Sequence, residues 1–217
     1  MQFWLKDRTN QLTTILIVFY TVGIVGMLIA PETFSPLTPL NLLLSAFILF
    51  FPHPEKDILF YVNLLMVFTA AWFLEMIGVT TGTIFGMYSY GEALGPKLNQ
   101  TPLIIGLNWI IVTYSCLYLS NAIAIYFKIK LHEVTGALLS AALMVLLDFL
   151  IEPMAPKLDY WSWEGNIIPV QNYTAWFFFG FAFSYWMLKG GLLKTNPMAI
   201  RVYAAQFLFF LLLNFLV

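Results

Sequence analysis

Apolar residues in this chain run in long blocks separated by short breaks. Seven segments can be drawn, at about 12–30, 37–51, 57–78, 101–127, 132–151, 172–188 and 197–217, most of them near the length of a membrane-spanning helix. The second and sixth are short for a hydrocarbon core of about 30 Å. Prolines fall where breaks are needed: Pro31, Pro36 and Pro39 between the first two segments, Pro52 and Pro54 after the second, Pro102 opening the fourth and Pro197 opening the seventh. No soluble domain, internal repeat or low-complexity linker interrupts the pattern. Residues 1–217 therefore read as a single membrane domain, an all-α bundle of about seven transmembrane helices.

Composition supports the same reading. The chain is 61% hydrophobic and 10% charged, with a mean hydropathy of +0.84, far from the balance of soluble proteins. The first apolar run follows Lys6 and Arg8 without a small-residue cleavage site, so it is expected to remain as an anchor. With the N-terminus inside, Lys6, Arg8, Lys56, Lys128, Lys130, Lys189, Lys194 and Arg201 collect on the cytoplasmic side and only Lys97 and Lys157 on the other, eight against two. That bias fits an odd number of spans and a multi-pass protein of the cell membrane.

Against this background a few polar positions stand out. Glu75 ends the third segment, Asn108 and Trp109 lie early in the fourth, and Asp148 and Glu152 close the fifth. With the alternation above, all belong to the non-cytoplasmic end. At the helical rise, Glu75 and Asp148 lie roughly 5 Å, and Asn108 about 10 Å, below the boundary. Carboxylates inside a membrane are costly and face cavities or partners, whereas near the boundary they can also reach headgroup water or pair with Lys97 or Lys157. Asp148 and Glu152 are four apart and share a helix face if the helix reaches Pro153. The two longest connections, about 79–100 and 152–171, close over the same end and hold Tyr88, Tyr90, Tyr160, Trp161 and Trp163. These rings can form an interfacial belt, or line a pocket mouth where their negative faces stabilise a cation. Gly78, Gly82 and Gly86, spaced by four, suit either close helix packing or a flexible re-entrant turn. Asp159, Glu92 and Glu164 read as loop residues in water.

Other chemistries recede. His53 and His132 fall at segment ends on the cytoplasmic side, where they read as interfacial. With one mid-helix cysteine, Cys116, they supply neither a metal cluster nor a disulfide framework. Gly190-Gly191 lacks the flanking pattern of a phosphate loop. The last segment has no lysine for a retinal Schiff base, and the aspartate-rich motif of membrane prenyltransferases is missing. A formal net charge of -1 without basic clusters gives no reason to invoke nucleic acid. Asn172-Tyr-Thr matches a glycosylation acceptor, a short pattern that arises by chance.

The spaced residues do resemble a known family. Glu75, Gly78, Thr81-Gly82, Phe85-Gly86, Tyr88, Tyr90, Leu94-Gly95-Pro96, Pro102-Leu103 and Gly106-Leu-Asn-Trp109 are the first part of the likeness. Asp148, Glu152-Pro153, Tyr160-Trp-Ser-Trp163, Asn172-Tyr173 and Trp176 complete it. Together, over about residues 57–185, they look like the membrane carotenoid hydratases of the CruF type, which include lycopene, γ-carotene and bisanhydrobacterioruberin hydratases. The resemblance implies a carotenoid-biosynthesis hydro-lyase that adds water across the terminal 1,2 double bond of an acyclic end group. It implies no metal or redox cofactor. The partners it implies are a carotenoid such as lycopene, γ-carotene or bisanhydrobacterioruberin, membrane lipid and other carotenoid enzymes.

The residues suit that chemistry. Protonating a trisubstituted alkene leaves a tertiary cation that water can capture, and an acid desolvated at a membrane boundary holds its proton at neutral pH. The expected catalytic group is Glu75, Asp148 and Glu152, with Asp148 or Glu75 donating the proton and the other orienting water. Tyr88, Tyr90, Asn108, Trp109, Trp161 and Trp163 are expected to bind substrate. Rivals are a lycopene cyclase, in which a double bond within the chain captures the cation, a small cation transporter, and a non-catalytic pigment-binding subunit.

Overall fold

The computed structural model describes residues 2–54, 56–192 and 196–217. Helix α1 (Gln2–Ile29) leads into α2 (Pro31–Phe34), a 3-10 turn (Ser35–Leu37) and α3 (Thr38–Phe50). Pieces α2 to α3 form one apolar rod, Pro31–Phe50, of 20 residues. The second segment is therefore longer than the apolar run alone suggests. Pro31 sits at the first helical position, where its fixed φ favours helix and its missing N–H has no bond to lose, so it starts the rod instead of merely ending the one before.

Four longer helices follow before the last: α4 (Ile58–Thr81), α5 (Ile105–Tyr126), α6 (Glu133–Ile151) and α7 (Val170–Lys189). Helix α8 (Pro197–Leu216) closes the chain, capped by the Asn196 side chain, which accepts from Met198 N at 3.0 Å. Among the described residues six helical rods are long and apolar enough to cross a membrane. The remaining one, α7, matches them in length, but its first turns carry Gln171, Asn172 and Thr174. Of the basic residues assigned to the inner side, Lys194 lies outside the described residues.

Helix α5 is the hub, packed by α3, α4, α6, α7 and α8. Trp109, Ile111, Tyr114 and Cys116 on it are fully buried. At the inner end His53 is not interfacial: it is 5% exposed, stacks on Phe60, and its Nδ1 is 2.5 Å from the Tyr114 hydroxyl.

At the opposite end the two long connections contain short strands: β1 (Tyr88–Tyr90), β2 (Lys97–Leu98), β3 (Thr101–Pro102) and β4 (Trp161–Trp163). Strands β2 and β3 pair as a small hairpin, and β1 pairs antiparallel with β4 in the register Tyr88–Trp163, Ser89–Ser162, Tyr90–Trp161. Helix α4 can turn into this cap because Gly82, its C-cap, adopts φ +67, a left-handed conformation that costs glycine little. The connections are further stitched where Gly91 N donates to Tyr160 O at 2.9 Å and Glu92 N donates to Asp159 Oδ2 at 2.8 Å. A Cβ at position 91 would collide with Asp159, so the approach requires glycine there.

Candidate active site

Successive residues of a strand point to opposite faces. In the Tyr-Ser-Tyr and Trp-Ser-Trp strands, Ser89 and Ser162 are therefore exposed while the four rings turn toward the bundle. The polar tips of those rings meet two carboxylates. Tyr88 and Tyr90 hydroxyls donate to Glu75 Oε2 at 2.7 and 2.6 Å, and Trp109 Nε1, reaching from α5, donates to Oε1 at 2.7 Å. Trp163 and Trp161 Nε1 donate to Glu152 Oε2 at 2.6 and 3.2 Å. The cap thus grips Glu75 from one strand and Glu152 from the other.

Asn172, in the first turn of α7, joins the remaining acid. Its Nδ2 donates to Asp148 Oδ2 at 2.9 Å and to Glu152 Oε1 at 2.8 Å. Asp148 and Glu152 share a face because α6 runs to Ile151 and Glu152 N still donates to Asp148 O at 2.9 Å. Glu75, Asp148, Glu152 and Asn172 are 4%, 0%, 1% and 2% exposed. Asn172 is therefore a buried bridge, out of reach of glycosylation. Asp148 Oδ1 has no hydrogen-bond partner among the described residues.

Between the two cap-held carboxyls lies a cavity of about 20 Å³, lined by Glu75, Glu152, Asn172, Tyr88, Tyr90, Trp161, Trp163, Phe85, Ile105 and Trp176. That is room for roughly one water. Trp109 forms part of the support beneath it, stacked on Trp176 at 4.3 Å between ring centres. Asp148 does not line this cavity; it lies behind Asn172. Asn108 also lies elsewhere, on the wall of a neighbouring cavity with Tyr160 and Trp161. The helical step from Trp109 to Asn108 turns the amide away from the acids.

The proton inventory follows from the environment. Burial pushes the Tyr88 and Tyr90 phenols well above the usual tyrosine range, and the Glu75 charge raises them further, so both hydroxyls keep their protons and act as donors. An indole N–H can only donate. Glu75 therefore accepts three bonds. Burial likewise pushes the Glu152 carboxyl up to about 7, against the pull of the Trp163, Trp161 and Asn172 donors, with the Glu75 charge adding to the rise. Lys97, which could have neutralised Glu75, pairs instead with Glu92 at 2.8 Å.

Asn172 and Trp176 were not singled out by depth and charge. Both belong to the spaced residues that carry the family resemblance, and Asn172 also offers a signal of its own as a polar residue at the mouth of an apolar segment.

Fold and site together define a polytopic membrane protein with an acid site buried under an aromatic cap. The chain belongs to the carotenoid biosynthesis protein family, whose model matches residues 37–217. It is similar to bisanhydrobacterioruberin hydratase of Haloarcula japonica, with 27% identity over 195 residues, covering 79% of this chain and 62% of that protein. The chain thus spans less than two thirds of the length of this curated relative. No solved structure matches it.

Proposed function

We propose that this protein is a carotenoid 1,2-hydratase of the cell membrane, adding water to the terminal double bond of an acyclic carotenoid end group. The observation that carries the reading is the pair of carboxyls, Glu75 and Glu152, facing one water-sized cavity under four aromatic rings. The family match and the hydratase name of the similar archaeal protein support it.

Glu152, with a carboxyl raised toward neutrality, gives its proton to the less substituted carbon of the terminal alkene. The alkene electron pair forms the new C–H bond and leaves a tertiary cation. The ring faces of Tyr88, Tyr90, Trp161 and Trp163 favour that charge without reacting with it. Glu75, held in place by Tyr88, Tyr90 and Trp109, accepts a hydrogen bond from the water whose oxygen attacks the cation, and then takes its proton. The product is a tertiary alcohol, one water heavier than the substrate, and a proton passed from Glu75 back to Glu152 resets the pair. Asp148 acts from behind by holding Asn172, and hence Glu152, in position.

Expression in a host that accumulates lycopene, followed by pigment mass analysis, tests the reading. A product heavier by one water or two, absent with Glu75→Gln, is the expected result. An isomeric product would make the enzyme a cyclase, and unchanged pigment with well-folded protein would remove the catalytic reading for that substrate class.

A further inference from the structure

The acid cavity adjoins others. Ile105 and Trp161 line both it and a second cavity of about 60 Å³. The second shares Thr38, Asn41 and Phe209 with a third, of about 240 Å³, set between α1 and the α2–α3 rod. The wall of the third includes Val22, Leu37 and Leu40, which are 53%, 48% and 55% exposed. On a membrane-spanning bundle those side chains meet lipid tails. Three adjoining spaces thus run from the lipid-facing surface to Glu75 and Glu152.

We propose that an acyclic polyene enters sideways from the bilayer through the groove between α1 and α3, and threads past Phe209 to present its tip to the two acids. This deepens the hydratase reading and rests on it for the identity of the occupant. An extended, greasy chain gains nothing from crossing water to reach the aromatic cap. It is already dissolved where the groove opens. The lining positions on α1, from Phe19 to Met27, cover about 12 Å of helix and lie in the half of α1 nearer the cap. The portal and the acids therefore belong to the same leaflet. Phe209 is the neck: it is 4% exposed, edge-on to Tyr20 at 5.8 Å, and lines both outer spaces. Across the groove Gly23 faces Phe209, where a Cβ would sit in van der Waals contact, 3.4 Å from the ring, so a much larger side chain there would occupy the neck.

The test is binding, read by quenching of tryptophan fluorescence as lycopene is titrated into the full chain in detergent. Gly23→Phe fills the groove at the neck and Val22→Phe fills it at its mouth. Leu65→Phe, on a 65%-exposed position of α4, is the control on another lipid face. The expected result is a loss of lycopene affinity of at least tenfold in both groove variants, with the control within twofold of wild type. Affinities within twofold for both groove variants, or no saturable quenching of the wild type, overturns the portal. Product formation by the wild-type chain separates the two readings. Lycopene bound through the groove but never hydrated leaves the portal standing and removes the hydratase, whereas hydration unaffected by the groove variants does the reverse.

Discussion

If Glu152 is the proton donor, the tryptophan above it should set the pH at which the enzyme fails. Trp163 Nε1 donates to Glu152 Oε2 at 2.6 Å in a fully buried setting, and a bond of this kind favours the ionised carboxylate. Replacing Trp163 by Phe keeps an aromatic ring and removes the donor. A hydrogen bond to a buried charged group is worth about 1.5–3 kcal/mol, and one pH unit corresponds to about 1.4 kcal/mol. Trp163→Phe should therefore raise the Glu152 carboxyl by roughly one to two units above its value of about 7. Trp161, at 3.2 Å, is a weaker donor, and Trp161→Phe should move it less. The assay is the pH dependence of kcat with a micellar acyclic carotenoid. Wild-type activity should fall about tenfold per unit above the alkaline limb, and the limb should move upward in the order wild type, Trp161→Phe, Trp163→Phe. Glu152→Gln should lower kcat by about 10²–10⁴ and abolish the limb. A limb that stays put in both tryptophan variants, or survives in Glu152→Gln, would refute the assignment.

Four further outcomes are expected. Glu75→Gln keeps the shape and one acceptor oxygen but opposes an amide N–H to fixed donors, so it should fold with lowered thermal stability and lose hydration, as circular dichroism and product analysis would read. Glu75→Ala should be worse, because three buried donors lose their acceptor at about 1–3 kcal/mol each. Gly91→Val drives a side chain into Asp159 and should cost activity far more than helix content, since it loosens the cap and leaves the bundle intact. The Glu152 carboxyl titrates higher in the folded chain than in the unfolded one, so folding takes up a proton. Its stabilising contribution is complete below the usual glutamate range and is lost as pH rises through about 7. The midpoint of thermal unfolding in detergent should accordingly fall over that interval in wild type and change less in Glu152→Gln.

Much of the architecture was legible because a bilayer imposes length and composition on every crossing helix. Depth in the membrane and charge pick out Glu75, Asp148 and Glu152, because a buried acid must be compensated, and the four-residue spacing of Asp148 and Glu152 survives as a shared helix face. What the chain order concealed is the pairing of β1 with β4. Tyr-Ser-Tyr and Trp-Ser-Trp lie some seventy residues apart, and neither is long enough to announce itself as a strand. Without the ladder, an interfacial belt is a readier explanation for the rings than a pocket mouth. The chain order also does not show that Asp148 faces Asn172 while Glu75 and Glu152 share the cavity. Gly78, Gly82 and Gly86 have separate duties despite their even spacing. Gly78 leaves room for the Phe85 ring, Gly82 ends the helix, and Gly86 passes close to Pro169 with φ +105.

The β1–β4 ladder has one consequence for how such a molecule can work while embedded in a fluctuating lipid phase. It ties the connection after α4 to the connection after α6 by main-chain bonds, which depend on no particular side chain and which no lipid can replace. Displacements of the outer helices can therefore occur at the flank without altering the spacing of the Glu75 and Glu152 carboxyls, as a clasp holds its setting while the strap flexes.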